Sequence, residues 1–138
     1  MILRLLDQTM IVEKSSPSPW MIVAAVLGFS AVALGAIAAH VITDSQAVSA
    51  IEKAALYQLI HAVVLLFASQ FHGRLAQLSR WLLLIGIVLF CGSIELKYLF
   101  DVSKATVVAP SGGICLMLGW LVLGAAGIRQ KVSSHTPR

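Results

Sequence analysis

Charge is what this sequence has least of: only 12% of its 138 residues are Asp, Glu, Lys or Arg, about half the share of an ordinary soluble domain. Without a polar exterior to cover a globule, a water-soluble fold is excluded. Cysteine is scarce too. The two thiols, Cys91 and Cys115, lie in apolar runs and form no C-x-x-C pair, which excludes a disulfide framework. Basic clusters interleaved with aromatic residues are missing, so the net charge of +4 makes no case for a nucleic-acid partner. Hydrophobic residues make up 59% and the mean hydropathy is +0.91, which excludes a disordered chain. An integral membrane protein remains, with room for about four spans of roughly 20 residues.

Four runs meet that length: residues 20–39, 54–71, 81–100 and 107–128. The third is interrupted near its far end by Glu95 and Lys97, and the fourth carries Pro110 where a helix can begin. The runs are continuous and about twice the length of a barrel strand, so each must close its own backbone hydrogen bonds as a helix. The expected fold is all-α, a four-helix bundle within the membrane. Residues 1–19 form a mobile or interfacial tail, 20–128 the membrane domain and 129–138 a basic C-terminal tail. In the first joint, Ser49-x-x-Glu52 has capping-box spacing, and a short amphipathic lead-in to the second span is expected there. Ala36-Ile37-Ala38 has the form of a leader cleavage site, but a run of 20 exceeds a leader's apolar region, so a retained span is expected.

The basic residues orient the chain. Arg4, Lys14, Arg74, Arg80, Arg129, Lys131 and Arg138 put seven on one side, against at most three, Lys53, Lys97 and Lys104, on the other. Basic loops stay inside, so both termini are expected in the cytoplasm.

Small residues recur along the first span at Ala24, Gly28, Ala31, Gly35 and Ala39, and along the fourth at Gly112, Cys115, Gly119 and Ala126. Such stripes let helix backbones approach closely, which predicts packing of span one on span four; a homo-oligomer seam is the alternative. The polar residues gather at the expected outer end: His40, Tyr57, Gln58, His61, Glu95, Ser111, Gly112 and Gly113. In lipid such groups must face one another or a wet cavity. Two readings stay open, a hydrogen-bond network that holds the bundle and a shallow pocket for a small polar molecule, a quinone-like headgroup or a proton. Glu95 with His61 would make a proton-responsive pair. His40, His61, Cys91 and Cys115 do not have the spacing of a metal or haem site, and no nucleophile with an adjacent base is present, so neither cofactor nor catalysis is expected. The expected partners are the lipid bilayer and either another membrane protein or a second copy.

Four short motifs carry a family resemblance. Gly35 to His40 reads G-A-x-x-A-H, Tyr57 to Ala62 reads Y-Q-x-x-H-A, Gly92-Ser93 lies in the third span, and Pro110 to Gly113 reads P-x-G-G. With the span lengths, this resembles the YgdD-like domain-of-unknown-function family of small four-helix inner-membrane proteins, over residues 20–128. The resemblance implies an inner-membrane location and a fold but no activity. Glu95 and Lys97 are charged where that family would be expected to be apolar.

Overall fold

The computed structural model describes residues 18–133. The rest of the expected N-terminal tail, with Arg4 and Lys14, and residues 134–138, with His135 and Arg138, lie outside the described residues. Four long helices follow in order: α1 (Pro19–His40), α2 (Ser45–Ala68), α3 (Arg74–Phe100) and α4 (Ala109–Ser133), the last preceded by a short 3-10 segment (Ser103–Val108). All four, the fourth taken with its 3-10 lead-in as Ser103–Arg129, are long and apolar enough to cross a membrane.

The helix limits follow from local chemistry. Pro19 occupies the first turn of α1, where its missing N–H costs nothing. The start of α2 differs from expectation. Ser49-x-x-Glu52 lies within the helix, and the cap is Asp44, whose carboxylate accepts from the Ala47 amide at 2.7 Å. The amphipathic lead-in is thus continuous with the span, and the connection from α1 shrinks to four residues, 41–44. Gly73, at φ +100°, turns the chain into α3, which starts seven residues before the uncharged run. Asp101 ends α3 in the left-handed region, at φ 56°. The fourth helix begins beside Pro110, as the sequence requires.

Each helix packs mainly on its neighbours in sequence: α1 on α2, α2 on α3, and α3 on α4. The expected contact of the first span with the fourth is therefore replaced by α1 on α2 and α4 on α3, because short antiparallel connections place consecutive helices side by side. The α1 stripe is used at Ala24, Ala31 and then Ala38, which are buried, whereas Ala39 is exposed. A Cβ on Gly28 or Gly35 would meet nothing within 4 Å, so the chain makes no close contact at either.

The tightest seam joins α3 and α4. A Cβ on Gly112 would overlap the Phe90 backbone nitrogen, and one on Gly119 would stand 3.2 Å from the Leu83 backbone nitrogen and 2.9 Å from its side chain. Leu116 presses in turn against Gly86. The buried α4 residues Gly112, Leu116, Gly119, Leu123 and Ala126 recur at alternating intervals of four and three, the periodicity of a coiled-coil seam. Ser79 Oγ stitches this seam by donating to the Gly119 carbonyl at 2.9 Å. Between equally apolar helices and lipid, such close van der Waals contact drives association.

Arg80 closes the other seam. Counted in the sequence as a loop charge, it is 8% exposed and donates through Nη1 to the carbonyls of Ala68 (3.0 Å) and Phe71 (2.8 Å), and through Nη2 to Gln77 Oε1 (2.6 Å). It thereby caps the last carbonyl of α2 and that of Phe71 in the turn that follows, where a cation is favoured by the helix dipole. Trp20 covers the guanidinium at 5.5 Å and meets Trp81 edge to face at 5.1 Å, fixing the start of α1 at the same level.

Two outcomes are expected from thermal unfolding in mild detergent. Gly112→Val should lower stability by about 1–3 kcal/mol, the cost of forcing atoms into a filled seam, whereas Gly28→Ala should leave it unchanged or raise it by up to about 1 kcal/mol. Arg80→Leu should cost about 2 kcal/mol and speed hydrogen exchange at residues 65–71. Arg80→Lys should restore only part of this, because one ammonium cannot reproduce the guanidinium fork; full restoration by lysine would contradict the capping geometry.

Candidate functional site

Depth along the bundle is set by the Trp20–Trp81 layer at one end. With a rise of about 1.5 Å per residue, Gln58 lies about 15 Å above the Ala68 end of α2, close to the middle of a hydrocarbon core about 30 Å thick. Its partners agree. Gln58 Nε2 donates to the Leu27 carbonyl at 3.0 Å and to Ser30 Oγ at 2.7 Å, and both residues sit halfway along α1. Ser30 Oγ itself donates to Leu27 O at 3.0 Å, closing a small ring of bonds across the α1–α2 seam. Tyr57, Gln58 and His61 therefore occupy the centre of the bundle and not its outer end, because α2 begins nine residues before the uncharged run.

His61 is 6% exposed and uses both ring nitrogens. Nδ1 lies 2.7 Å from the Tyr57 carbonyl, which only accepts, so Nδ1 donates. Nε2 must then accept, and it takes the Trp120 indole N–H at 3.2 Å. The pair of contacts selects a neutral imidazole with its proton on Nδ1. The Trp120 ring stands edge to face on His61 at 6.2 Å, Tyr57 lies nearly parallel to His61 at 6.2 Å, and Phe90 meets Tyr57 at 5.5 Å. This aromatic row borders a groove of about 390 Å³ between α2 and α4, lined also by Pro110, Gly113 and Met117.

The other expected site residues go elsewhere. His40 is exposed in the last turn of α1. Ser111 is exposed and donates to its own Val108 carbonyl at 2.6 Å, while Gly112 is buried in the α3 seam. Glu95 does not pair with His61. Tyr57 and Phe90 share a level; His61 lies one turn below it on α2 and Glu95 more than one turn above it on α3, an axial separation of about 13 Å. Glu95 Oε1 is instead buried without a hydrogen-bond partner. Among the described residues, no three His, Cys, Asp or Glu side chains gather as a metal site.

Three residues that matter were not singled out in the sequence: Trp120, Ser30 and, as a structural group, Arg80. Trp120 carried a usable signal, since tryptophan favours the membrane interface and one placed mid-span needs an acceptor for its N–H. Ser30 carried none, because serine in a span commonly bonds its own helix.

A second groove, of about 550 Å³, lies between the first half of α2, the end of α3 and the 3-10 segment. Tyr57 and Phe90 border both grooves and form the partition between them.

The family model described as "Protein of unknown function (DUF423)" matches residues 34–113, a stretch that contains all four sequence motifs. The chain is 34% identical over 116 residues to a UPF0382 membrane protein of Staphylococcus epidermidis, covering 80% of this chain and 95% of that one. A UPF0382 membrane protein of Haemophilus influenzae is 34% identical over 114 residues, 78% of this chain and 91% of its own. The UPF0382 inner membrane protein YgdD of Escherichia coli is 33% identical over 126 residues, 83% and 95% of the two chains. No solved structure matches. With an all-helical fold of four membrane-spanning lengths and relatives matched over nearly their whole length, the chain belongs to the DUF423 family of membrane proteins of unknown function.

Proposed function

We propose that the protein is a non-enzymatic accessory or assembly component of the inner membrane, with both termini in the cytoplasm. The observation that carries this reading is how the central polar groups are used. Gln58 is committed to Leu27 and Ser30, and His61 to the Tyr57 carbonyl and Trp120, so these two side chains hold helices together. A proton carrier would use a chain of titratable groups within reach of one another, and the separation of Glu95 from His61 breaks the pair best suited to it. The outward face of α1, with Ile22, Val26, Phe29 and Val32 exposed, is a broad apolar surface suited to lipid, a partner helix or a second copy. The inner-membrane naming of the YgdD relative and the excess of basic residues at the termini and in the first turns of α3, with Arg74 and Arg80, support the location and sidedness.

A second reading rests on the aromatic groove. Tyr57, His61, Pro110 and Gly113, drawn from two of the four sequence motifs, line one cavity with Trp120, and a flat amphipathic ring such as a quinone headgroup suits its walls. On that reading the protein is a small-ligand binder.

The same purification separates the two. Taken gently from native membranes, the accessory component brings stoichiometric protein partners that His61→Gln retains, because a Gln carbonyl can still accept the Trp120 N–H. A ligand binder brings a small molecule, seen by absorption or mass spectrometry, that His61→Gln loses. Arrival of the pure chain without protein partners would overturn the accessory role. For sidedness, fluorescent-protein and alkaline-phosphatase fusions at each end should give fluorescence and no phosphatase activity at both; phosphatase activity at either end would reverse it.

A further inference from the structure

The larger groove has a graded lining. Beside the uncharged stretch of α2 its walls are apolar and aromatic, with Tyr57, Phe90 and Ile94; toward the start of α2 they become polar, with Ser49, Lys53, Lys97 and Thr106. The gradient runs along the bundle axis. Lys53 lies about 22 Å above the Ala68 end of α2, and Lys97 about 24 Å above the Trp20–Trp81 layer, so the two residues leave their helices at one level just inside the far face of a core about 30 Å thick. From there a long side chain reaches the headgroups while its stem stays in hydrocarbon. Lys97 Nζ lies 4.9 Å from the Tyr98 ring centroid, and among the described residues neither ammonium is paired with a carboxylate.

Two cations at the mouth and an apolar floor call for an occupant that is anionic at one end and apolar along its length. We propose that this groove binds one anionic phospholipid, with its phosphate held by Lys53 and Lys97 and an acyl chain laid along Tyr57, Phe90 and Ile94. Ser49 and Thr106 face the glycerol and ester oxygens, which a free fatty acid lacks. Basic pockets between spanning helices recognise lipid headgroups by this combination of charge and confinement. A groove of about 550 Å³ takes the headgroup end and part of one acyl chain, and the rest of the lipid stays in the bilayer. The site is distinct from the aromatic groove beyond the Tyr57–Phe90 partition and does not depend on the accessory role.

The test uses the full chain in mild detergent, incubated with equal amounts of dioleoyl phosphatidylglycerol and dioleoyl phosphatidylcholine, with retained lipid counted by native mass spectrometry. A single phosphatidylglycerol adduct is expected, preferred roughly thirtyfold if each lysine contributes as it does near an anionic surface. The preference should fall to near parity in the Lys53→Gln, Lys97→Gln double variant and return in the corresponding double arginine variant. Ala50→Trp, which leaves both charges in place and narrows the groove, should lower retention of both lipids and serves as an independent readout should the charge variant not fold. Equal retention of the two lipids by the wild-type chain, or an unchanged preference in a folded double Gln variant, would overturn the proposal. So would displacement of phosphatidylglycerol by equimolar oleate, which would assign the groove to a carboxylate amphiphile.

Discussion

Hydrocarbon supplies neither donors nor acceptors, so a polar atom carried into it must be satisfied by the chain or held at the edge of the bilayer. That requirement accounts for the polar architecture of this protein. At the Trp20–Trp81 end, Arg80 gathers the last carbonyl of α2 and that of Phe71 in the following turn. At the centre, Gln58 reaches the Leu27 carbonyl and Ser30 on α1, and His61 bridges its own helix to Trp120 on α4. Ser79 does the same between α3 and α4. Each bond crosses or closes a helix seam, and together they tie α1 to α2, α2 to α3 and α4, and α3 to α4. Among the described residues, Glu95 Oε1 and the Nε of Arg80 stand outside this pattern, each buried and without a hydrogen-bond partner.

Hydrogen bonds of this kind are individually modest in membranes, about 0.6 kcal/mol on average, so they locate the helices more than they bind them. Cohesion comes from contact area. Where glycine removes the side chain, at Gly112 and Gly119, α4 lies against the α3 backbone itself, and Leu116 fills the space left at Gly86. The α1–α2 seam uses alanine on the α1 side, at Ala24, Ala31 and Ala38, with the Gln58 bonds at its middle. The different small residues reflect different tasks: glycine for a backbone-to-backbone approach, alanine for an ordinary helix crossing.

Much of the fold is legible in the sequence because uncharged length is a physical requirement for crossing hydrocarbon, and four such runs stand out. The helix starts are less legible. Ser45 to Lys53 is polar on one side and continues α2 at the membrane edge, so hydropathy alone begins the span nine residues late and misplaces the depth of Tyr57, Gln58 and His61. Asp44 is a better cap than Ser49, but both fit the local rules and only the position of the preceding helix end selects between them. Of the polar residues, Tyr57 and His61 share a face by their spacing of four, while Gln58, one position on, turns to α1. Arg80 reads as a loop charge in sequence because its acceptors, Ala68 and Phe71, become neighbours only after the chain reverses at Gly73. Pairing across a turn has no local signature.

The grooves follow from the same asymmetry of packing. Glycine on one side of α4 draws it onto α3, and α2 packs on α3 along a separate face, so α2 and α4 do not form an extensive seam of their own. The gap between them is spanned by long side chains, Trp120 reaching His61 from one side and Phe90 touching Tyr57 from the other. Tyr57 and Phe90 then divide the free space into a neutral aromatic compartment at mid-membrane and a compartment that opens to Lys53 and Lys97 at the interface. Their chemistry differs because their depth differs: a lysine can serve only where its ammonium reaches water, whereas an imidazole and an indole can satisfy each other in the dry centre. A closed bundle with four equivalent seams would have neither compartment, so the cavities are a direct consequence of placing the closest contacts all along one face of α4.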